Sequence, residues 1–226
     1  MTEKTPGAIF SFVIDMMLLL TKYGWKELLF FSLLWIGFGA ALWFAHPAAL
    51  AAPALGLLFT VSFFRDPIRK VPTEANLLVS PADGTVDEIS EVQENEFLKT
   101  NCHKIGIFLS VFNVHVNRSP CEGTVRAVQY KPGKFLDARD PRSTTENESN
   151  SIRIGDVLVK QIAGLIARRI VCEAKPEDTL LRGQKFGMIK FGSRTELYIP
   201  KDQVAEISIK LKDKVKGGKT ILARTR

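Results

Sequence analysis

From residue 28 to residue 64 the chain carries no Asp, Glu, Lys or Arg, a charge-free run of 37 positions. That run is too long for one helix across a hydrocarbon core ~30 Å thick, which needs ~20 residues. It divides at His46-Pro47 into 28–45 and 48–64, each about long enough to cross. Pro47 suits a turn or a helix start, where its missing N–H is harmless. Lys22 and Lys26 flank the first half, and Arg65, Arg69 and Lys70 flank the second. Basic flanks on both sides place both ends on the cytoplasmic side of a membrane. The expectation is a helical membrane hairpin over about 28–64, spanning or re-entrant, because Gly37, Gly39 and Pro53 weaken its helices. The alternative is a hairpin buried in the core of a soluble protein. A cleaved signal peptide fits poorly, since the run starts late, is of double length and lacks a small-residue cleavage site. Residues 9–20 add an apolar patch with one internal charge, Asp15, suited to an interfacial helix.

The remainder has a different texture. Residues 1–64 carry three lysines and three acids, so the formal net charge of +7 belongs wholly to 65–226, with 28 basic and 21 acidic residues. The two expected regions are therefore 1–64, membrane-associated, and 65–226, a folded body. A chain of 226 residues needs no disulfide or metal for size reasons. A mean hydropathy of +0.04 excludes both a disordered chain and a multi-span transporter. An oily start before a basic body points to anionic lipid rather than nucleic acid. Cys102, Cys121 and Cys172 are isolated and odd in number, which disfavours a disulfide framework or a zinc site and fits a reducing compartment.

Asp66-Pro67 and Val71-Pro72 form a linker. Beyond it, short strand patterns recur at 77–79, 84–89, 104–111, 123–130, 151–154, 156–162, 167–171, 187–190, 196–199 and 204–211, separated by Gly, Pro, Asn and Asp. In the last, Ala205, Ile207, Ile209 and Leu211 alternate with Glu206, Ser208 and Lys210, as in a half-buried strand. The fold class is mainly β: a sandwich or barrel-like body of short strands with an N-terminal helical hairpin. There is an internal echo. Ser80-Pro81-Ala82-Asp83-Gly84-Thr85-Val86 returns 39 residues later as Ser119-Pro120-Cys121-Glu122-Gly123-Thr124-Val125. A tight turn with Gly at positive φ opening a strand would explain both copies, which could be related strands of one body.

Reactive candidates are few. His46 falls in the hairpin turn, and His103 stands beside a lysine. His115 lies in Phe112-Asn113-Val114-His115-Val116-Asn117-Arg118; on a strand, Asn113, His115 and Asn117 would share one face, either solvent-facing or a site. Asp83 sits in a turn, where an acid is a local cap or a functional group. Gly192-Ser193 interrupts an otherwise continuous strand pattern, and glycine there marks a bulge or a close approach. A serine hydroxyl is a nucleophile where a histidine takes its proton and an acid orients the histidine, so Asp83, His115 and Ser193 would compose a triad. The polar stretch 137–150 is a solvated loop or a substrate lid.

Four blocks in this order resemble a known family. They are Val79-Ser80-Pro81-Ala82-Asp83-Gly84, then Asn113-Val114-His115-Val116-Asn117-Arg118, then Gln161-Ile162-Ala163-Gly164 with Ala167-Arg168-Arg169-Ile170, and Arg182-Gly183-Gln184 leading to Phe191-Gly192-Ser193-Arg194. From about residue 63 to the end, the chain resembles the phosphatidylserine decarboxylase proenzymes of the short bacterial and archaeal type. Phe191 stands where longer family members carry another residue, which implies the subfamily. The resemblance implies an inactive precursor that cuts itself between Gly192 and Ser193 into chains 1–192 and 193–226, which stay together as a processed heterodimer. Ser193 would attack the Gly192 carbonyl with His115 as base, oriented by Asp83. Ser193 would become a pyruvoyl group that forms a Schiff base with phosphatidylserine, and His115 would return a proton after carbon dioxide leaves. No metal is implied. Phe112, Asn117, Asn147, Glu148 and Phe191 are expected to line the substrate site. The implied partner is phosphatidylserine in an anionic membrane, with no nucleic acid and with homo-oligomerisation open. The implied location is the cytoplasmic side of the cell membrane, peripheral or hairpin-anchored.

Two other readings compete. One is a membrane-anchored, non-catalytic β adaptor or carrier, since the repeated turn resembles carrier-domain hairpins. No Met-Lys is present, and Asp213-Lys214 lacks the flanking hairpin pattern. The other keeps the chemistry but takes a different serine-headed lipid such as archaetidylserine. The eight basic and three acidic residues of 201–226 suit an anionic surface, or a solvated edge strand.

Overall fold

The computed structural model describes residues 19–45, 47–165, 169–190 and 192–226; His46, Phe191 and all but the last two positions of the 9–20 patch lie outside them. The chain forms two compact units, Met1–Ile68 and Arg69–Arg226.

The first unit is a helical hairpin. Helix α1 (Trp25–Ala45) leads through a 3-10 turn, Pro47–Leu50, into α2 (Ala51–Phe63). Pro47 opens the 3-10 turn, and Pro53 falls in the first turn of α2, where neither needs an N–H. The ends of the hairpin meet: Thr21 N–H donates to the Phe64 carbonyl at 2.8 Å, and Leu20 bridges Arg65. Trp35 Nε1 donates to Thr60 Oγ1 at 3.2 Å between the helices. Leu29, Phe30, Leu33, Ile36, Leu55 and Leu58 face outward, so the hairpin presents apolar surface on its exterior. The two arms are unequal, unlike the expectation. The segment Lys22–Trp43 is long and apolar enough to cross a membrane by length and composition. The 13 residues of α2 rise only about 20 Å, because the 3-10 turn itself takes Pro47–Leu50 before the helix begins.

The second unit is mainly β, and its long sheet curls into a half-barrel. In chain order the strands are β1 (Leu77–Val79), β2 (Gly84–Glu94), β3 (Thr100–Leu109), β4 (Val116–Arg118), β5 (Gly123–Lys131), β6 (Ser149–Ile154) and β7 (Val157–Ile162). There follow β8 (Ile170–Cys172), β9 (Thr179–Leu180), β10 (Lys185–Ile189), β11 (Ser193–Pro200), β12 (Val204–Ile207), β13 (Lys214–Val215) and β14 (Ile221–Thr225). A short helix, α3 (Ser143–Glu146), interrupts the polar stretch before β6. The long sheet runs β13-β2-β3-β11-β7-β6-β5-β9, and two small sheets run β1-β14-β12 and β4-β10-β8. Alternate residues of these strands, among them Ile105, Ile107, Leu109, Ile152, Val159, Leu197 and Ile199, interlock in one core.

This order is a duplication. Taking β1, β2, β3, β11, β12, β13 and β14 as one half and β4 to β10 as the other, the strands correspond one to one in chain order. The long sheet then reads the same from both ends, and each small sheet mirrors the other. The backbone repeats the match. Val79 N–H donates to the Pro120 carbonyl and Arg118 N–H to the Pro81 carbonyl, both at 2.9 Å. Ser80 Oγ donates to the Ala82 carbonyl and Ser119 Oγ to the Cys121 carbonyl, both at 2.6 Å. The Ser-Pro echo is the sequence trace of this repeat. The second half is inserted between β3 and β11 of the first.

Three local expectations change. Gly84 and Gly123 do not adopt positive φ. Gly84 is needed instead because a Cβ there would lie 2.3 Å from the Phe108 carbonyl oxygen of the adjacent strand. The strand expected over 204–211 stops at Ile207. A register shift between Val204 and Glu206 expels Ala205 to solvent, and Leu211 is 53% exposed. The strand expected over 167–171 is β8, Ile170–Cys172, with 166–168 outside the described residues. All three cysteines are free.

Strand β11 carries the core on one face and a buried ion network on the other. Glu196 is fully buried; its Oε1 meets Arg194 Nε at 2.9 Å and Lys104 Nζ at 3.0 Å, and its Oε2 accepts from Tyr198 OH at 2.7 Å. Arg194 also pairs with Asp87 and with Glu88. Burial alone would raise the Glu196 pKa, but Lys104, Tyr198 and Arg194 outweigh it and hold the carboxyl below its ordinary value. Removing one member of such a cluster strands the others. Glu196→Ala should lower stability by about 3–5 kcal/mol at neutral pH, measured by denaturant unfolding of the full chain in detergent. The folded pKa is depressed, so this contribution is present above the ordinary value of 4.5 and fades as pH falls through the folded pKa. The gap between parent and variant should therefore narrow in acid.

Candidate active site

Both passages between the halves converge on one place. The first is the stretch 110–115 between β3 and β4. It is a turn rather than the expected strand, because the Asn113 side chain closes it: Oδ1 accepts from Ser110 N–H at 2.9 Å and from Ser110 Oγ at 2.8 Å. Asn113 and His115 thus do not share a strand face. The Asn113 carbonyl accepts from His115 Nδ1 at 2.9 Å. A carbonyl only accepts, so Nδ1 carries the proton and Nε2 is the basic nitrogen. The imidazole is fully buried.

The second passage is the return into β11. Gly192 N–H donates to His115 Nε2 at 3.3 Å, which sets the imidazole one residue from Ser193. Gly192 has φ of 61°, a left-handed conformation that L side chains rarely adopt. Ser193 begins β11, pairs with Leu109 and is fully buried. Its Oγ is buried and has no hydrogen-bond partner among the described residues. An orphaned buried hydroxyl disfavours the folded state by about 1–3 kcal/mol and calls for a reason.

Asp83 lies on the first Ser-Pro turn. Its Oδ2 accepts from Arg69 at 2.8 Å and its Oδ1 from Gly217 N–H at 2.7 Å. Pro81 of that turn accepts from Arg118 N–H, so the turn runs beside the His115 segment. Asp83, His115 and Ser193 thus come from three separate stretches of chain.

The other expected residues are placed as follows. Asn117 is fully buried within a chain of amides. Its Nδ2 donates to Thr195 Oγ1 at 3.1 Å, its Oδ1 accepts from Gln161 Nε2 at 2.9 Å, and Gln161 Oε1 accepts from Asn150 Nδ2 at 2.9 Å. Asn147 is also buried, with its amide bound to backbone groups of Leu136 and Ala163. Glu148 is 6% exposed, and its backbone carbonyl accepts from Ala163 N–H. Phe112 is 73% exposed. Among the described residues, the ring that lines the space at Gly192 is Phe108 on β3. That cavity, about 340 Å³, is closed further by Val111, Ala138 and Leu165, with Asp137 and Arg139 among its lining residues. Hydrogen bonds from Arg139 hold the Asp137 carboxyl down to about 2. Phe108 and Arg139 also border a second cavity of about 770 Å³ beside the Arg194 network. The sequence does not mark Gln161, Thr195, Phe108 or Arg69 as site residues. Gln161 stands in one of the four blocks and Arg69 in the basic flank of the hairpin, whereas Thr195 and Phe108 look like ordinary strand residues.

The family model described as phosphatidylserine decarboxylase matches residues 57–223. A phosphatidylserine decarboxylase proenzyme of Carboxydothermus hydrogenoformans is 50% identical over 171 residues, covering 74% of this chain and 80% of that protein. One from Ralstonia nicotianae is 41% identical over 212 residues, covering 91% and 95%. One from Syntrophus aciditrophicus is 46% identical over 175 residues, covering 75% and 81%.

The amide chain gives a direct test of how β11 is held. Gln161→Leu leaves Asn117 Oδ1 and Asn150 Nδ2 without their buried partner. Stability should fall by about 2–5 kcal/mol in denaturant unfolding. An unchanged midpoint would show that the amides are not coupled through Gln161.

Proposed function

Because the chain belongs to the phosphatidylserine decarboxylase family, we propose that it is a proenzyme that cuts itself between Gly192 and Ser193 and then converts phosphatidylserine to phosphatidylethanolamine and carbon dioxide. The observation that carries this reading is the buried Ser193 hydroxyl, unpartnered and preceded by a left-handed glycine whose N–H contacts the basic nitrogen of His115. A non-catalytic adaptor has no use for that arrangement.

Self-cleavage requires Ser193 Oγ to add to the Gly192 carbonyl carbon. His115 Nε2 takes the hydroxyl proton and passes it to the departing nitrogen as the peptide C–N bond breaks. An ester then joins the Gly192 carboxyl to Ser193 Oγ. Loss of the residue 193 Cα proton and cleavage of the Cβ–O bond release Gly192 as a carboxylate and leave dehydroalanine. Its enamine tautomerises, and water displaces the nitrogen as ammonia, so that the second chain begins with a pyruvoyl group. The chain's residues fit that outcome: Ser193 has no competing hydrogen bond among the described residues, and Gly192 carries no side chain beside the carbonyl to be attacked. When formed, the ketone provides an electron sink for decarboxylation of an amino-headed lipid that no standard side chain offers.

Asp83, ion-paired with Arg69 and bound by the Gly217 N–H, is held on the turn that runs beside the His115 segment, from which it would orient His115. His115 holds the proton that the product carbon needs. Phe108, Val111 and Leu165 give the space at Gly192 an apolar lining, and an apolar setting favours loss of a carboxylate. The chains 1–192 and 193–226 remain a heterodimer, since β11 is hydrogen-bonded to both β3 and β7 and β14 to β1. The apolar hairpin with basic flanks suits the cytoplasmic side of the cell membrane, where the substrate resides.

Intact-mass analysis of the purified protein tests this. Two chains are expected, the smaller starting at residue 193 and blocked to Edman sequencing, and they should separate only on denaturation. Ser193→Ala should stay a single chain, and His115→Ala should process about 100- to 10,000-fold more slowly. A full-length, uncut species that decarboxylates labelled phosphatidylserine in mixed micelles would sink the reading.

A further inference from the structure

We propose that Gly164 and Asn147 are positioning residues for self-cleavage, holding the Gly192 carbonyl in the attitude from which Ser193 can attack it. This inference rests on the self-cleavage reading and names the part of the fold that aims the scissile bond.

After β7 the chain passes directly against Gly192. A Cβ placed on Gly164 would lie 2.0 Å from the Gly192 carbonyl oxygen and 3.0 Å from its carbonyl carbon. Both are backbone atoms, which cannot swing aside as the end of a long side chain would. The Ala138 Cβ, 3.4 Å from the same point, closes a further side. Position 164 therefore admits only glycine while the scissile carbonyl keeps its place. Unlike Gly192, Gly164 is demanded by close approach and not by a left-handed backbone.

The peptide unit before Gly164 is itself clamped. Ala163 N–H donates to the Glu148 carbonyl at 2.9 Å, and the Ala163 carbonyl accepts from Asn147 Nδ2 at 2.7 Å. The same Nδ2 donates to the Leu136 carbonyl, and Asn147 Oδ1 accepts from Leu136 N–H, both at 2.9 Å. Asn147 is 1% exposed, with both amide hydrogens and its oxygen committed to backbone groups. It is placed to staple the 136 segment to the turn at 163–164, and through that turn to bear on the Gly192 carbonyl. A neutral amide suits this task, because a carboxylate would face two carbonyl oxygens.

The test uses full-length precursor, with conversion followed by denaturing gel and intact mass. Gly164→Ala should cleave about a hundredfold more slowly than the parent, the effect of displacing a reacting group by roughly an ångström. Its unfolding midpoint should match that of the uncleaved Ser193→Ala chain. Hydroxylamine separates a slowed acyl shift from a slowed elimination, because it cleaves an ester but not the peptide. Gly164→Ala should show no hydroxylamine-dependent increase in the 1–192 chain, since the step that forms the ester is the one slowed and the ester does not accumulate. Asn147→Asp keeps the acceptor for Leu136 N–H but loses both donors, and it should also slow conversion. A folded Gly164→Ala that cleaves at the parent rate, or that accumulates hydroxylamine-sensitive ester, overturns the inference and leaves self-cleavage intact. If Gly164→Ala does not fold, Asn147→Asp decides: slowed cleavage supports the clamp and parental cleavage overturns it. A parent chain that never cleaves overturns the self-cleavage reading instead.

Discussion

A strand hydrogen-bonded on both sides cannot shift along its axis without breaking two ladders, and β11 is such a strand. Residues 194–198 pair with both β3 and β7, and Ser193 pairs with Leu109 alone. The peptide bond between 192 and 193 therefore lies at the boundary between a backbone held from both flanks and a left-handed turn. The ion network centred on Glu196 and the amide chain through Asn117 and Gln161 act on the same strand. Together they fix the serine, so under the proposed self-cleavage the geometry of attack would depend on where the preceding carbonyl is held.

The nested repeat explains why this place exists. In the inner half, β6 and β7 are joined by a two-residue turn, Gly155-Asp156, with Ile154 paired to Val157 and Gly155 at φ of 56°. In the outer half the corresponding pair is Leu109 with Ser193, and the turn between them is replaced by the whole inserted half. Where the inner repeat has a closed hairpin, the outer one has one chain passage leaving through 110–115 and another returning at Gly192, joined by the Gly192 N–H to His115 Nε2 contact. One supplies His115 and the other the left-handed Gly192. The candidate site occupies an opened turn.

Much of this was legible in the residues. Most of the expected strands exist, because alternation and turn residues report a half-buried strand directly. The charge-free run marked the hairpin, and Gly192-Ser193 stood out as an interruption. What was hidden depends on pairing partners. Gly84 looked like a turn glycine, but the backbone of β3 excludes its side chain. Asn113 looked like a strand residue, but its amide closes a turn. The alternation over 204–211 was sound as a pattern, yet a bulge at Ala205 breaks it, and bulges arise from the neighbouring strand. Asn147 looked available to a substrate because a polar residue in a polar stretch reads as exposed. Burial with three backbone hydrogen bonds cannot be read from one chain segment. The correspondence of the two sheets left only seven residues of visible echo, since a topology is preserved by hydrogen bonds that many sequences can make.

The unpartnered hydroxyl of Ser193 contrasts with the buried amides and hydroxyl around it, since Asn117, Asn147, Asn150, Gln161 and Thr195 all have hydrogen-bonded partners. Rotating a hydroxyl to find an acceptor is easy, so its isolation reflects surroundings that offer none. Leu109 is its strand partner, and its backbone is already bound in the ladder. The doubly paired strand and its ion network supply the stability that keeps this unpartnered hydroxyl in place. Local destabilisation held in place by cooperative structure elsewhere is how a fold keeps a group poised for reaction.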